Sequence, residues 1–326
     1  MHPVAQILQE RRSKGSRPGS RDDTHRVGLA VEGGALRGVV SAGMLVALEE
    51  LGYRDAFDVV YGSSAGSFNA AFFLAGQAWH GLPLYVEQVA DDQVMRWGRL
   101  LRGEPVLCLE RILETLMDER ARLDWQAVLT SPIALCVIAS SVTDSAPVAL
   151  THFDEPADLR RALRAGATIP FIAGPPVEFH GSLLLDAAVT QVHPYEAAVA
   201  DRCTHVLSLS TRPRGRLLGE PGLAGRIQAW RLDRLRPGLG AASLRRHAGY
   251  RAAQVRLAAL TEQPGEPPHV LDVAPAPGSP EVGRMTRDVG RILLGAQLGY
   301  EAAVAAVEGR VVRAVLRLTS MTNGDS

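Results

Sequence analysis

Two strand–turn–helix units follow one another between Val27 and Gly76, and they limit the possible folds more than any other stretch of the chain. Val27-Gly28-Leu29-Ala30-Val31 is a short apolar run with β-branched residues that breaks at Gly33-Gly34, as a strand buried on both faces should. Val39, Val40, Gly43, Met44, Ala47, Leu48 and Leu51 then repeat at helical spacing, with Glu49 and Glu50 outside and Gly52 as the stop. Phe57-Asp58-Val59-Val60-Tyr61 reads as a second strand, and Ala65 to Ala75 as a second buried helix ending near Gly76. Consecutive units of this kind call for parallel strands with helices over both faces of the sheet. The expected fold is therefore α/β, a three-layer α/β/α arrangement with a mainly parallel central sheet and a helical cap.

The 326 residues are 46% hydrophobic and 21% charged, enough for one large core. Lysine plus arginine number 35 against 35 acidic residues, so no global field points to nucleic acid, and none is expected as a partner. Residues 1–25 scatter Arg11, Arg12, Lys14, Arg17 and Arg21 among Ser, Gly and Pro, and are expected to be a flexible basic tail. A single domain over 26–310 follows, with a helical insertion at about 77–130 marked by Trp79, Tyr85, Ile112, Leu113 and Leu116. Further strands are expected at 133–139, 148–150, 182–185, 206–210 and 269–273, with a loop over 170–176. An arginine-rich segment spans 212–256, and 311–326 form a C-terminal tail.

Cys108, Cys136 and Cys203 have no metal-type spacing and suit buried thiols in a reducing compartment. With no signal-like segment and no apolar run of about 20 residues, a cytoplasmic protein is expected. Ile227, Trp230, Leu232 and Leu235 lie among the arginines of 212–256, which allows peripheral contact with a membrane; the competing reading is a solvated helical face.

Gly62-Ser63-Ser64-Ala65-Gly66 falls between the second strand and its helix, the place of a nucleophile elbow that exposes a serine hydroxyl at the carboxyl edge of a sheet. Attack by Ser64 on a carbonyl would create an oxyanion, and small residues at Gly33, Gly34 and Ala35 leave backbone N–H groups free to meet it. A dinucleotide-binding reading of that loop fails on its G-G-x-x-x-G spacing. A base is also needed, and Asp186, after the apolar Leu183-Leu184-Leu185 and before Ala187-Ala188, is a carboxylate at a strand end. His193, His205 or His269 could instead complete a Ser-His-Asp triad, although an elbow after only two strands comes early for such a fold.

Together these motifs resemble the patatin-like phospholipases. The family's glycine-rich oxyanion loop is similar to Glu32 to Gly38, including Arg37 and Gly38; its elbow resembles Gly62 to Gly66; its Asp-Gly-Gly or Asp-Gly-Ala segment resembles Asp186-Ala187-Ala188. Ala165-Gly166-Ala167-Thr168-Ile169-Pro170-Phe171 resembles the loop that precedes the family's aspartate, and the likeness fades after Pro194. The resemblance implies a serine acyl hydrolase that cleaves fatty-acyl esters of phospholipids or related lipids through a Ser64–Asp186 dyad, with no histidine, metal or cofactor. Arg37 would order the loop, meet a phosphate or make a surface ion pair. A catalytically weak lipid-binding protein of the same fold is the alternative from a different class. Two residues depart from the family pattern: Ala35 stands for the third loop glycine, a mild change, and Ala187 for the glycine after the aspartate, a serious one if that position needs φ > 0.

Overall fold

The computed structural model describes residues 1–102, 104–191, 193–314 and 316, and the tail expected at 311–326 falls largely outside them. Eight strands form one sheet: β1 (Val27–Val31), β2 (Val59–Ser63), β3 (Ala134–Ser141), β4 (Ala146–Leu150), β5 (Val177–Phe179), β6 (Ser182–Asp186), β7 (His205–Leu209) and β8 (His269–Val273). The order is β5-β6-β3-β2-β1-β7-β8, with β4 also paired to β3. All pairings from β3 through β2, β1 and β7 to β8 are parallel, whereas β4, β5 and β6 pair antiparallel. The sheet is thus mixed but mainly parallel. β5 lies just beyond the expected loop and is only three residues long, too short for its alternation to stand out in the sequence.

Side-chain alternation along the strands builds the layers. Leu29, Val31, Val60, Leu135, Val137, Leu207, Leu209, Leu271 and Val273 enter one core, while Ala30, Val59, Tyr61, Cys136, Ile138, Val206 and Val270 enter another on the opposite face. Helices Val39–Glu50, Ala65–Leu74 and Val289–Glu308 cover the first face. Helices Pro194–Ala200 and Leu239–Glu262 cover the second through Tyr195, Ala198, Ala253 and Leu257. The 77–130 stretch is helical, as expected, in short pieces: Ala78–Gly81, Leu84–Ala90, Leu109–Arg111 running into a π-helical Ile112–Arg120, and Trp125–Leu129. Its apolar residues join the first core.

The amino-terminal stretch corrects one expectation. Pro3–Ser13 is a helix, capped by the His2 side chain on the Val4 N–H, with Val4, Ile7 and Leu8 buried in the first core. Burying three such side chains contributes roughly 1.5–3 kcal/mol each, which outweighs the polar composition of the flanks. Arg11 is likewise not a tail charge: at 1% exposure its guanidinium binds Asp23 at 2.7 Å, Asp58 at 2.8 Å and the carbonyls of Ala56 and His25. Composition failed here because a buried arginine that fills all its donors reads in sequence like a solvated one. No helix among the described residues is long and apolar enough to cross a membrane.

Candidate active site

Strand register brings the serine and the aspartate together. Ser63, the last residue of β2, is paired with Ile138, and Asp186, the last of β6, is paired with the next residue of β3, Ala139. Two strands of opposite direction therefore end at the same point along β3. Ser64 Oγ donates to Asp186 Oδ2 at 2.7 Å, and Asp186 Oδ1 accepts from the Ala188 N–H at 2.7 Å. One carboxylate oxygen is fixed by backbone and the other faces the serine. Thr168 O holds the Asp186 N–H at 2.9 Å, so the 165–171 loop also supports this corner. Asp186 is 1% exposed, and burial raises its pKa above the ordinary aspartate value although Ser64, Ala188, Arg284 and Arg246 pull the other way.

Ser64 sits at φ 52°, ψ −131°, outside the regions L-residues favour, and immediately precedes helix Ala65–Leu74. The strained turn lifts its hydroxyl clear of the sheet and aims the first N–H groups of the helix at the same space. Gly33 and Gly66 make the turn possible by close approach: a Cβ on Gly33 would lie 2.3 Å from Ser63 O, and one on Gly66 would lie 2.3 Å from Val31 O. The loop after β1 thus rests directly on the elbow. The Gly33 N–H makes a long 3.4 Å bond to Ser63 Oγ, while those of Gly34 and Ala35 have no acceptor among the described residues.

The backbone strain falls on a different alanine from the one expected. Ala35 has φ 52°, in the left-handed region where glycine is at ease. Ala187 does not have a positive φ; it opens the short helical turn Ala187–Val189 and is 1% exposed. Alanine in place of the family's glycine is therefore costly in the loop and easy after Asp186.

Beneath the loop lies a buried polar cluster that the sequence did not reveal. Glu32, at 6% exposure, accepts from the Thr211 N–H at 2.6 Å, Thr211 Oγ1 at 2.7 Å and the Tyr250 hydroxyl. Burial alone would raise its pKa, but His193, Arg37, Tyr250 and Thr211 together draw it down to about 2. Arg37 donates Nε to Thr211 Oγ1 at 3.1 Å and meets Glu281 at 3.3 Å. Of its three expected roles, these contacts are those of loop ordering. Gly38 starts the turn into helix Val39–Glu50, and its carbonyl accepts from Asn69 at 2.9 Å and Ser41 at 2.9 Å. Thr211 and Tyr250 lie 179 and 218 residues from Glu32, with no shared local motif to signal the contact.

The histidine alternative is not assembled. His193 is buried, meets Ser210 Oγ at 3.4 Å, and burial takes its pKa down to about 4. His205 lies between His25, which it meets edge-on, and His269, to which its ring is tilted. None of His193, His205 and His269 hydrogen-bonds Ser64 or Asp186.

Ser64 stands where two cavities meet. One, of about 460 Å³, is the more polar of the two, with the Gly33–Ala35 loop, Asp186, Gln191, Ser243, Arg246, His247 and Arg284 in its lining beside apolar Ile172, Val189, Leu218 and Leu244. The other is narrow, about 60 Å³, and apolar, lined by Leu36, Phe68, Phe72, Leu84, Met95, Leu107, Ile112 and Met117. Ala35, Ser64, Ile169 and Met285 border both. A molecule spanning them would present its middle to Ser64, one end to polar groups and the other to hydrocarbon.

A serine–aspartate corner under a glycine-rich loop, where a parallel and an antiparallel strand end side by side, is the arrangement of an acyl hydrolase scaffold. The family comparison names it: residues 29–199 match the model of the patatin-like phospholipases, and the chain belongs to that family. Its members are lipid acyl hydrolases. No curated protein matches the chain. Among solved structures it is similar to VipD from Legionella pneumophila, at 12% identity and a TM-score of 0.48, covering 88% of this chain and 67% of that one.

Proposed function

We propose that the chain is a serine acyl hydrolase that cleaves fatty-acyl esters of phospholipids or related lipids through a Ser64–Asp186 dyad. The 2.7 Å bond from Ser64 Oγ to Asp186 Oδ2, made at the junction of an apolar and a polar cavity, carries the reading. The acyl tail enters the apolar cavity and the alcohol part of the ester occupies the polar one. Asp186 takes the hydroxyl proton as Ser64 Oγ bonds to the carbonyl carbon, and the carbonyl oxygen becomes an oxyanion. The N–H groups of Gly34 and Ala35, with Gly33 beside them, stabilise that charge. The oxyanion collapses, the ester C–O bond breaks, and Asp186 returns its proton to the leaving alkoxide. Water then attacks the acyl-enzyme with Asp186 again as base, releasing the fatty acid and restoring Ser64.

The narrow apolar cavity favours a short-chain reporter, so nitrophenyl butyrate is the first substrate to try. The parent should hydrolyse it, and Ser64→Ala and Asp186→Asn should each lose about 10³-fold or more in kcat. Asp186→Asn turning over like the parent would rule out the dyad.

A second feature supports peripheral contact with a lipid surface. Helix Leu223–Leu235 packs inward through Ala229 and Leu232, while Leu223, Ile227 and Trp230 are 76%, 49% and 55% exposed on its opposite face. Arg226, Arg231 and Arg234 flank that stripe, with Arg234 stacked 4.0 Å from the Trp230 ring. An apolar stripe between arginines suits the interface of an anionic bilayer. Co-sedimentation with vesicles containing phosphatidylglycerol should exceed that with phosphatidylcholine alone and weaken with salt; binding indifferent to both would count against this contact.

A further inference from the structure

The polar cavity carries more positive charge than its carboxylates can pair. Glu281 holds Arg212 at 2.5 Å, Arg37 at 3.3 Å and Arg216 at 3.6 Å. Arg246 and Arg284, which also line the cavity, have no carboxylate within ion-pair reach among the described residues. Arg246 donates Nε to Gln191 O at 2.8 Å and lies 5.0 Å from the Tyr250 ring centre, which fixes its plane and leaves the terminal nitrogens free. Arg284 is exposed, and its carbonyl accepts from the Leu36 N–H at 3.2 Å, which anchors it to the loop beside Ser64. Both charges act on Asp186. Two guanidinium groups with no carboxylate partner among the described residues, Arg246 half-buried and Arg284 exposed, border one cavity and suit a tetrahedral oxyanion, because each presents a fork of N–H donors.

The cavity's own acids are occupied. Glu32 is held by Thr211 and Tyr250, Asp186 by Ser64 and Ala188, and Glu220 on the rim pairs with Arg251 at 3.0 Å. A phosphate would find two open cations there, whereas an ammonium group would find only carboxylates already engaged. Both arginines lie beyond the family-matched residues 29–199.

We propose that Arg246 and Arg284 form a phosphate-binding subsite that makes the chain selective for acyl esters with a net-anionic, phosphate-bearing headgroup over neutral and zwitterionic ones. This rests on the reading of Ser64 as the nucleophile of an acyl hydrolase. The phosphate sits in the polar cavity and places the ester carbonyl over Ser64.

Binding separates this proposal from catalysis. In Ser64→Ala protein, calorimetry compares dioctanoylphosphatidic acid, dioctanoylglycerol, dioctanoylphosphatidylcholine and inorganic phosphate. Phosphatidic acid should bind at least about tenfold more tightly than either other lipid, and Arg246→Gln with Arg284→Gln should abolish that preference. The change should leave the dioctanoylglycerol affinity within about twofold, and Arg246→Lys should retain part of the preference because it keeps the charge. Equal affinity for the three lipids, or an unchanged preference in the double variant, would overturn the subsite. Inorganic phosphate bound as tightly as the lipid would overturn the headgroup assignment in favour of a free-anion site. A parent protein that fails to hydrolyse nitrophenyl butyrate would instead refute the hydrolase reading, with the binding comparison still deciding whether the subsite exists.

Discussion

Replacing Gly33 with alanine tests whether the loop after β1 positions the oxyanion donors. The new Cβ would lie 2.3 Å from Ser63 O, 2.8 Å from Ala65 N and 2.9 Å from Gly66 N, all of them backbone atoms of the elbow. Since Cβ atoms essentially never come within 3.0 Å of such neighbours, the closest contact is about 0.7 Å too short and loop and elbow must part. Overpacking of this kind costs about 1–3 kcal/mol of stability, leaving a folded protein with a lowered melting midpoint. The larger effect is on chemistry, because the separation moves the Gly34 and Ala35 N–H groups relative to Ser64 Oγ. Misplacement approaching 1 Å costs about 10²-fold, and loss of one oxyanion donor about 10²–10³-fold in kcat. Gly33→Ala should therefore lower kcat on nitrophenyl butyrate by about 100-fold while KM changes less, since most residues lining the two cavities lie outside the loop. Circular dichroism confirms folding, and Ser64→Ala gives the floor. A folded Gly33→Ala protein with the parent's kcat would refute the role of this loop.

The two departures from the family pattern should behave oppositely in chemical denaturation. Ala35→Gly relieves a left-handed alanine, a strain of about 1–2 kcal/mol partly offset by glycine's looser unfolded state, and should be neutral to stabilising. Ala187→Gly removes a buried methyl at an ordinary φ and should destabilise by about 1 kcal/mol; the reverse order would place the strain at 187. On the acid side, kcat/KM should fall with a midpoint above the ordinary aspartate value, because the base must be ionised and burial raises its pKa. Arg246→Gln or Arg284→Gln should push that midpoint higher still, since both cations favour the carboxylate; a pH profile that does not move would show that Asp186 is not the titrating base. Arg11→Ala should cost about 3 kcal/mol by removing a buried, fully bonded side chain and leaving Asp23 without its cation, while Asp58 keeps Arg21 at 2.9 Å. Arg11 holds Asp23 at about 2 against 3.8 unfolded, so its contribution is complete above pH 3.8 and is lost as pH falls through 2. That acid dependence should vanish in the variant, as urea titrations at pH 2 to 5 would detect.

The parts legible in the sequence are those written in short-range pattern. β1 with its loop and β2 with its elbow are contiguous apolar runs punctuated by glycine, so periodicity and turn chemistry placed both within a residue or two. Asp186 is conspicuous in the sequence as a carboxylate after three leucines, and it ends β6. What the sequence hid is long-range or cancels locally. The antiparallel approach of β6, which makes the Ser64–Asp186 contact, depends on register along β3, and β5 is too short to show a period. The helix Pro3–Ser13 was obscured because its arginines dominate the composition while its apolar face has only Val4, Ile7 and Leu8. Even the arginine-rich segment divides into fates that only three dimensions separate: Arg212 and Arg216 with Glu281, Arg251 with Glu220, Arg256 with Glu196, and Arg246 in the cavity.

That division bears on how a family scaffold acquires its own chemistry. The matched residues 29–199 supply most of β1, all of β2 to β6, the elbow, the loop and Asp186, but only part of what holds the loop in place. Glu32, at the end of β1, is bonded to Thr211 and Tyr250, and Arg37 reaches Thr211 and Glu281, all beyond the matched region. A carboxylate so deeply buried is tolerable only with such partners, because an unpaired buried charge costs several kcal/mol. The later part of the chain is thus as necessary to the glycine-rich loop as the glycines are. It also furnishes Arg246 and Arg284, so the segment that braces the loop is the one that charges the cavity. Under the proposed subsite, substitutions there should alter headgroup preference while Ser64 and Asp186 stay as they are, provided the contacts to Glu32 survive.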